Sequence, residues 1–204
     1  MDHHTQALEA LSRSNLYGLL ARICRSEIDQ PFLDALRTPD AAEALREAGV
    51  DVTLLSGHSD AELLLELNRA YTHLFIMALK PMESVNRGEG QLWGNSTVAV
   101  NRFMEEAGLA VEGEVSLLPD HIAMELGVMA YLSMEEAACL EAGDLERAGH
   151  FLNLQKRFMD EHLRHWAVTF FGSVEQLATH PFYKQVALLA RDFLFSEEQA
   201  LSGN

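Results

Sequence analysis

Apolar residues recur along this chain with a helical period rather than a strand period. From about Gln6 to Ser26, Leu8, Leu11, Leu16, Leu19, Leu20 and Ile23 fall at spacings that mark one apolar side of a helix. No sustained period-two alternation and no Asn-Gly or Asp-Gly hairpin turn occurs. Pro31 and Pro39 punctuate two short helices, each with its proline near the start. Ser59-Asp60-Ala61-Glu62 has the form of a capping box. The helix it opens carries Leu63, Leu64, Leu67, Tyr71, Leu74 and Phe75 and ends before Pro81. The stretch from Pro81 to Thr97 reads as a long Gly-, Asn- and Ser-rich loop.

Further on, a helix from about Thr97 to Ala107 is closed by Gly108, and Pro119 suits the first turn of the next one. That helix runs through Ile122, Leu126, Met129 and Leu132 to Gly143. Asp144 is placed to N-cap a long helix carrying Phe151, Leu154, Phe158, Leu163 and Trp166. Ser173-Val174-Glu175-Gln176 reads as a second capping box, and His180-Pro181 begins the last helix. His3-His4 is expected to be disordered and the tail from Ser196 frayed. The expected fold is all-α, a single-domain multi-helix bundle over residues 1–204 with an ordered core of about 6–195.

The chain has 204 residues, 48% hydrophobic and 23% charged, and this length buries about 70% of the unfolded surface without a staple. Cys24 and Cys139 are far apart in apolar, helix-like contexts, which reads as two reduced, buried thiols in a reducing compartment. No run approaches the roughly 18 apolar residues of a membrane span. Met1-Asp2-His3-His4 lacks a basic n-region and an apolar core, so the cytoplasm is the expected location. The formal charge of −16 argues against a nucleic-acid partner, which needs a basic face. Between Phe103 and Glu146 there is no Lys or Arg but eleven acids, Glu112, Glu114 and Asp120 among them. Such a field attracts a basic ligand, or simply keeps a surface solvated.

Catalytic signatures are missing. Neither cysteine has a zinc-type neighbour, and no phosphate loop, dinucleotide fingerprint or Gly-x-Ser-x-Gly elbow occurs. His162 and His165, three apart beside Glu161, read as surface or capping histidines. One constellation remains, Leu118-Pro119-Asp120-His121-Ile122-Ala123-Met124-Glu125-Leu126. On a helix beginning at Pro119, His121 and Glu125 share a face, and Asp120 complements the dipole in the first turn. An end charge and a structural hydrogen bond account for these residues more simply than an acid/base pair.

At this motif the chain resembles the TorD/DmsD-type family of redox-enzyme maturation chaperones. The family's Tyr-x-x-Leu-Phe element is matched by Tyr71-Thr72-His73-Leu74-Phe75, and its Pro-Tyr-Glu-Ser-Val element by Pro81-Met82-Glu83-Ser84-Val85. Its Pro-Asp-His-Ile-Ala-x-Glu-Leu signature stands intact at 119–126. Phe158-x-x-x-His162-Leu163-x-x-Trp166 and Pro181-Phe182-Tyr183 look like its closing helices. Two departures occur: Met82 removes a phenol, and Leu117 and Leu118 stand where the family often has a glutamate.

The resemblance implies a non-enzymatic helical chaperone without a cofactor of its own. Its partner is a molybdopterin oxidoreductase catalytic subunit, held by its twin-arginine signal peptide, with molybdenum-cofactor delivery proteins as further partners. Tyr71, Leu74 and Phe75 then offer apolar contact, and Pro119, Asp120, His121 and Glu125 a polar rim, with Glu83 and Ser84 nearby. Two alternatives stay open: GTP binding, suggested for members of this family, and a metal-binding helical enzyme using His121, Glu125, His162 and His165. For peptide binding, magnitudes favour the apolar half. Each buried Leu- or Phe-sized side chain contributes about 1.5–3 kcal/mol. Ordering a flexible peptide costs about 2–5 kcal/mol, and an exposed Arg–carboxylate pair returns about 0.2–1 kcal/mol.

Overall fold

A computed structural model of the chain describes residues 2–57, 59–90, 92–109 and 117–203. Their regular structure is helical: α1 (His3–Arg25), α2 (Gln30–Leu36), α3 (Pro39–Glu47), α4 (Asp60–Tyr71), α5 (Glu83–Asn86), α6 (Asn95–Glu106), α7 (Ile122–Glu141), α8 (Leu145–Glu161), α9 (Ala167–Leu177) and α10 (Pro181–Ser202). Short 3-10 turns lie at Val52–Leu55 and Leu163–His165, and a π-helical stretch, Thr72–Ala78, continues α4. The all-α expectation holds. The chain groups into two compact units interleaved in sequence, one of Met1–Arg25, Pro81–Ala167 and Glu197–Asn204, the other of Ser26–Lys80 and Val168–Ser196.

In the first unit α1 lies along α7, and α7 packs on α8. The inward stripe of α1 is Ala7, Ala10, Ser14, Tyr17, Leu20, Ile23 and Cys24, whereas Leu8 and Leu11 are 50% and 44% exposed. Leu20 and Ile23 are buried as the leucine stripe predicts, and its members Leu8 and Leu11 are not. Small side chains let two helix axes approach closely, so alanines and a serine occupy the seam while larger residues sit beside it. The Ser14 hydroxyl donates across that seam to the Ala130 carbonyl at 2.7 Å. Ala7 and Ala10 share a core cluster with Ala137, Cys139, Leu140 and Ala148. Both cysteines are free and buried.

Helix ends show where local signals suffice. Asp144 accepts from the Arg147 N–H at 3.1 Å, and Gly108 and Gly143 take the left-handed backbone that ends α6 and α7. Other expectations are corrected. His4 is helical and its Nδ1 lies 2.8 Å from Glu141 Oε1, so the His3-His4 start is ordered. The tail is helical to Ser202, with Glu197 and Leu201 buried and the Tyr17 hydroxyl donating to Glu197 Oε2 at 3.1 Å. The expected long helix through Trp166 breaks at His162, whose ψ of −83° ends α8.

The second unit follows its turn chemistry. Pro31 and Pro39 stand in the first turns of α2 and α3, and Asp29 caps α2 by accepting from the Phe32 N–H at 2.9 Å. The Ser59–Glu62 box is formed in both directions. Arg37 Nε donates to the Leu55 carbonyl at 2.8 Å and its guanidinium pairs with Asp60 at 2.7 Å, tying α2 to the start of α4. Aromatic rings make its core, with Phe75 centred 6.4 Å from Phe170 and 6.3 Å from Tyr183. The second capping box does not form: Ser173 is interior to α9 and its hydroxyl donates back to the Thr169 carbonyl at 3.3 Å.

The α1–α7 seam generates the first prediction. Ala10→Leu overfills it and should lower stability by about 1–3 kcal/mol in urea unfolding, whereas Leu11→Ala on the exposed side should change it by less than about 0.5 kcal/mol.

Candidate functional site

The signature segment does not begin a helix at Pro119. Leu118 to His121 form a turn closed by the His121 N–H donating to the Leu118 carbonyl at 3.0 Å, with half-buried Pro119 at its second position. Helix α7 starts only at Ile122, and His121 is its N-cap. Its Nδ1 accepts from the Ala123 N–H at 3.1 Å, which requires a bare ring nitrogen there. Burial lowers the His121 pKa to about 4 against the opposing pull of Asp120, so the imidazole stays neutral.

This turn is stitched to the segment before α5. Met82 and His121 form an isolated antiparallel bridge: the Glu83 N–H donates to the Asp120 carbonyl at 2.9 Å and the Ile122 N–H to the Pro81 carbonyl at 2.8 Å. The Asp120 side chain completes the stitch, its Oδ2 accepting from the Ser84 N–H at 3.0 Å. A carboxylate from a distant part of the chain thus caps the single turn of α5. What reads in sequence as a loop from Pro81 to Thr97 is therefore anchored at its start. It is anchored again at its end, where Glu89 accepts from the Ser96 N–H at 3.1 Å and opens α6. The Ser96 bonds hold the Glu89 carboxyl below its ordinary range. A Cβ on Gly94 would run into the Glu89 carboxylate and sit 3.1 Å from the Ser84 Cβ, so a side chain there would push Glu89 off its cap on α6.

Beneath the stitch lies a buried polar cluster. Glu83 Oε1 accepts from Arg87 at 2.7 Å, and its Oε2 lies 2.9 Å from His162 Nδ1. Glu125 Oε2 accepts from the Trp166 indole N–H at 3.1 Å. Burial, reinforced by the neighbouring Glu83 and Asp120, pushes the Glu125 carboxyl well above the usual range, and its Oε1 finds no hydrogen-bond partner among the described residues. Asp120 Oδ1, Ser84 Oγ and His162 Nε2 find no hydrogen-bond partner among the described residues. Such a partly satisfied network costs stability, so it is kept for what it positions.

The structure brings together Glu83, Ser84, Asp120, His121 and Glu125, and all five are buried. Their side chains face the interior of the first unit rather than an open rim. Tyr71, Leu74 and Phe75 lie in the other unit and are buried as well, with the Tyr71 and Phe75 rings 5.0 Å apart. The side chains that do face outward are Ile76, 58% exposed, and Met77, 72% exposed, where the π-helical stretch turns the chain's next positions away from the core. An apolar run of six, Leu74 to Leu79, is too long for one helix face and was the available signal. His162 and Trp166, named in sequence for a metal alternative and a closing-helix motif, join the cluster by hydrogen bonds instead; His162 reaches Glu83 across 79 residues of chain.

The acidic, arginine-free stretch is also less uniform in space. Arg102 and Arg157 pair with Glu106, and Arg13 with Glu136. Glu112 and Glu114 lie outside the described residues. Among the described residues no group of three or more metal-ligating side chains is assembled, and His165 is exposed on its own turn.

The family model described as the nitrate reductase delta subunit matches residues 34–172. The chain is 27% identical to the chaperone protein TorD of Shewanella pealeana over 211 residues, covering 93% of this chain and 89% of that protein. It belongs to the TorD/DmsD family of redox-enzyme maturation chaperones. A DmsD-type Tat proofreading chaperone of Haemophilus influenzae is 27% identical over 60% of this chain and 56% of its own length. A solved structure of a redox enzyme maturation protein from Archaeoglobus fulgidus shares the fold, with a TM-score of 0.53 at 23% identity over 90% of this chain and 93% of that one. As a TorD/DmsD family member the chain is a chaperone and not a catalyst, and within the cluster Asp120 and His121 hold backbone N–H groups.

Two titrations of this cluster are testable, with opposite signs. The folded pKa of His121 lies below its ordinary 6.5, so its contribution is present above pH 6.5 and lost as pH falls to about 4, at most about 3 kcal/mol. His121→Asn keeps an N-cap acceptor and should flatten the fall in melting temperature between those pH values. Glu125 is raised, so its contribution is complete at acid pH and lost as pH climbs through the raised value. Glu125→Gln should make melting less sensitive to alkali, and an unchanged alkaline profile would contradict the protonated acid.

Proposed function

We propose that this chain is a cytoplasmic chaperone for a molybdopterin-dependent oxidoreductase. In this reading it binds the twin-arginine signal peptide of the catalytic subunit, or its apo form, aids cofactor insertion and holds back export until maturation is complete. Molybdenum-cofactor delivery proteins meet the complex while the enzyme is being filled. The role asks for no cofactor of the chaperone's own. The observation that carries this reading is the likeness to TorD along nearly the whole chain, with the signature at 119–126 turned into the stitch that shapes the first unit. Two buried free thiols fit a reducing compartment. No helix among the described residues is long and apolar enough to cross a membrane.

The residues proposed for recognition act in two ways. Glu83, Ser84, Pro119, Asp120, His121 and Glu125 set the course of the flanking segments from beneath, and Tyr71, Leu74 and Phe75 do the same within the second unit. Direct apolar contact falls to exposed neighbours: Ile76 and Met77 in the second unit, and Leu92, Trp93 and Val98 in the first. Covering three or four such side chains outweighs the ordering cost of a peptide, which exposed ion pairs cannot do.

Titration calorimetry with the client's signal peptide separates these roles. Met77→Asp should weaken binding about tenfold or more with the melting temperature unchanged. Asp120→Asn should weaken binding and lower the melting temperature together, because it loosens the α5 cap. If the native chain captures no molybdopterin oxidoreductase subunit from its own lysate and binds no twin-arginine peptide, the reading fails.

A further inference from the structure

In the first unit, outside the buried cluster, Trp93 is held in an unusual way. Among the described residues it alone, glycines aside, has a left-handed backbone, with φ at 63°. A side chain as bulky as indole disfavours that region, so the surroundings must impose it. Burial does not compensate, since Trp93 is 67% exposed. Its place in sequence offers one structural role. Gly94 is the N-cap of α6, so Trp93 and Val98 stand at the two positions that a hydrophobic staple joins. A closed staple covers both of its members, yet Val98 is 62% exposed, and Leu92 beside Trp93 is 53% exposed. The three side chains lie open.

The constraint on Trp93 comes from Glu89. Its N–H donates to the Ser84 carbonyl at 3.0 Å. Its carboxylate accepts from the Ser96 N–H at 3.1 Å, from the Ser96 hydroxyl and from the Asn95 N–H. Gly94 passes so close that a Cβ there would meet this carboxylate, and Trp93 supplies the turn immediately before it. The charged side chains nearest in sequence are already paired. Arg87 donates to Glu83 at 2.7 Å, Glu89 holds the start of α6, and Arg102, one turn along α6 from Val98, pairs with Glu106 at 2.8 Å. Leu92, Trp93 and Val98 thus form an apolar display with no counter-charge to offer.

We infer that Glu89 is a positioning residue that holds Trp93 outward, and that Trp93, with Leu92 and Val98, takes an uncharged apolar segment of a partner polypeptide. Backbone strain persists where a contact needs it. A basic-headed peptide gains nothing from a patch whose nearest carboxylate is bound to the α6 backbone. A second copy of the chain is a poor occupant, since each copy carries a net charge of −16 and repels the other. The patch's preference rests on its own residues. Only the partner's identity, a neutral part of the client, rests on the chaperone reading.

Three variants of the intact chain test this against a labelled, uncharged peptide of leucine, phenylalanine and serine. The parent chain should bind it, and Trp93→Gly should weaken binding about tenfold in fluorescence anisotropy. The same variant should raise the melting temperature by about 2–4 °C, because glycine adopts the left-handed backbone without strain. Glu89→Ala should also weaken the peptide and free the indole. Of the two tryptophans, Trp166 is bound to Glu125 at 3.1 Å, so a larger fast component in the tryptophan anisotropy decay reports on Trp93. Glu89→Gln keeps an oxygen for the Ser96 N–H and should restore both readouts. A lower melting temperature in Trp93→Gly overturns the proposal, because the residue then serves the fold. So does peptide binding that is absent from the parent chain, or equal in parent and Trp93→Gly. Unchanged binding and indole motion in Glu89→Ala overturn the positioning role. Variants that change only self-association in sedimentation make the patch a self-contact and overturn it too. Each of these failures leaves the chaperone reading standing, since that reading is tested by the twin-arginine peptide and the captured subunit.

Discussion

Two carboxyls cannot sit side by side in a dry interior unless one keeps its proton, and the first unit is arranged around that constraint. Glu125 holds its proton because Glu83 and Asp120 surround it away from water. Glu83 in turn gathers Arg87 and His162, while Asp120 turns outward from the pair to cap α5. Remove the arrangement and three separate stretches of chain, around residues 83, 121 and 162, lose their common register. The rest of the unit is conventional helix packing, which tolerates change more readily than a polar core does.

Much of the helix layout was legible, because it depends on neighbours in sequence. Pro31, Pro39, the Ser59–Glu62 box, Asp144 and Gly143 each act within a turn, and each stands at the helix end its chemistry suggests. Failures came where a distant partner decides. Ser173-Val174-Glu175-Gln176 has the letters of a capping box but no helix start beneath it. His162 ends a helix that periodicity alone would continue, in a backbone conformation that lets its ring reach Glu83. Helix α1 misled for another reason: hydrophobicity points to Leu8 and Leu11, but the geometry of a close seam selects Ala7, Ala10 and Ser14.

The candidate site was legible as a set of residues and illegible as a surface. Sequence places Glu83, Ser84, Asp120, His121 and Glu125 under suspicion because they stand in two short motifs. It cannot show that Asp120 faces the Ser84 N–H rather than solvent. Charge suffered the same loss of information. A stretch free of Lys and Arg in sequence meets Arg13 and Arg157 in space, brought from α1 and α8. Apparent exclusivity along a chain is a weak guide to the field a ligand meets.

The π-helical stretch from Thr72 to Ala78 amounts to a widened turn in an otherwise regular rod. A rod of that kind has an arithmetic of its own: excising one residue from the stretch would restore ordinary winding and swing the downstream residues by about 100° about the axis. Ile76 and Met77 would then rotate off the open side while Leu74 stayed put. Presentation of greasy side chains to a client is thus set by residue count as much as by residue type. Homologous chaperones could lose or acquire such a display through a single-codon indel, with no substitution in the aromatic core beneath.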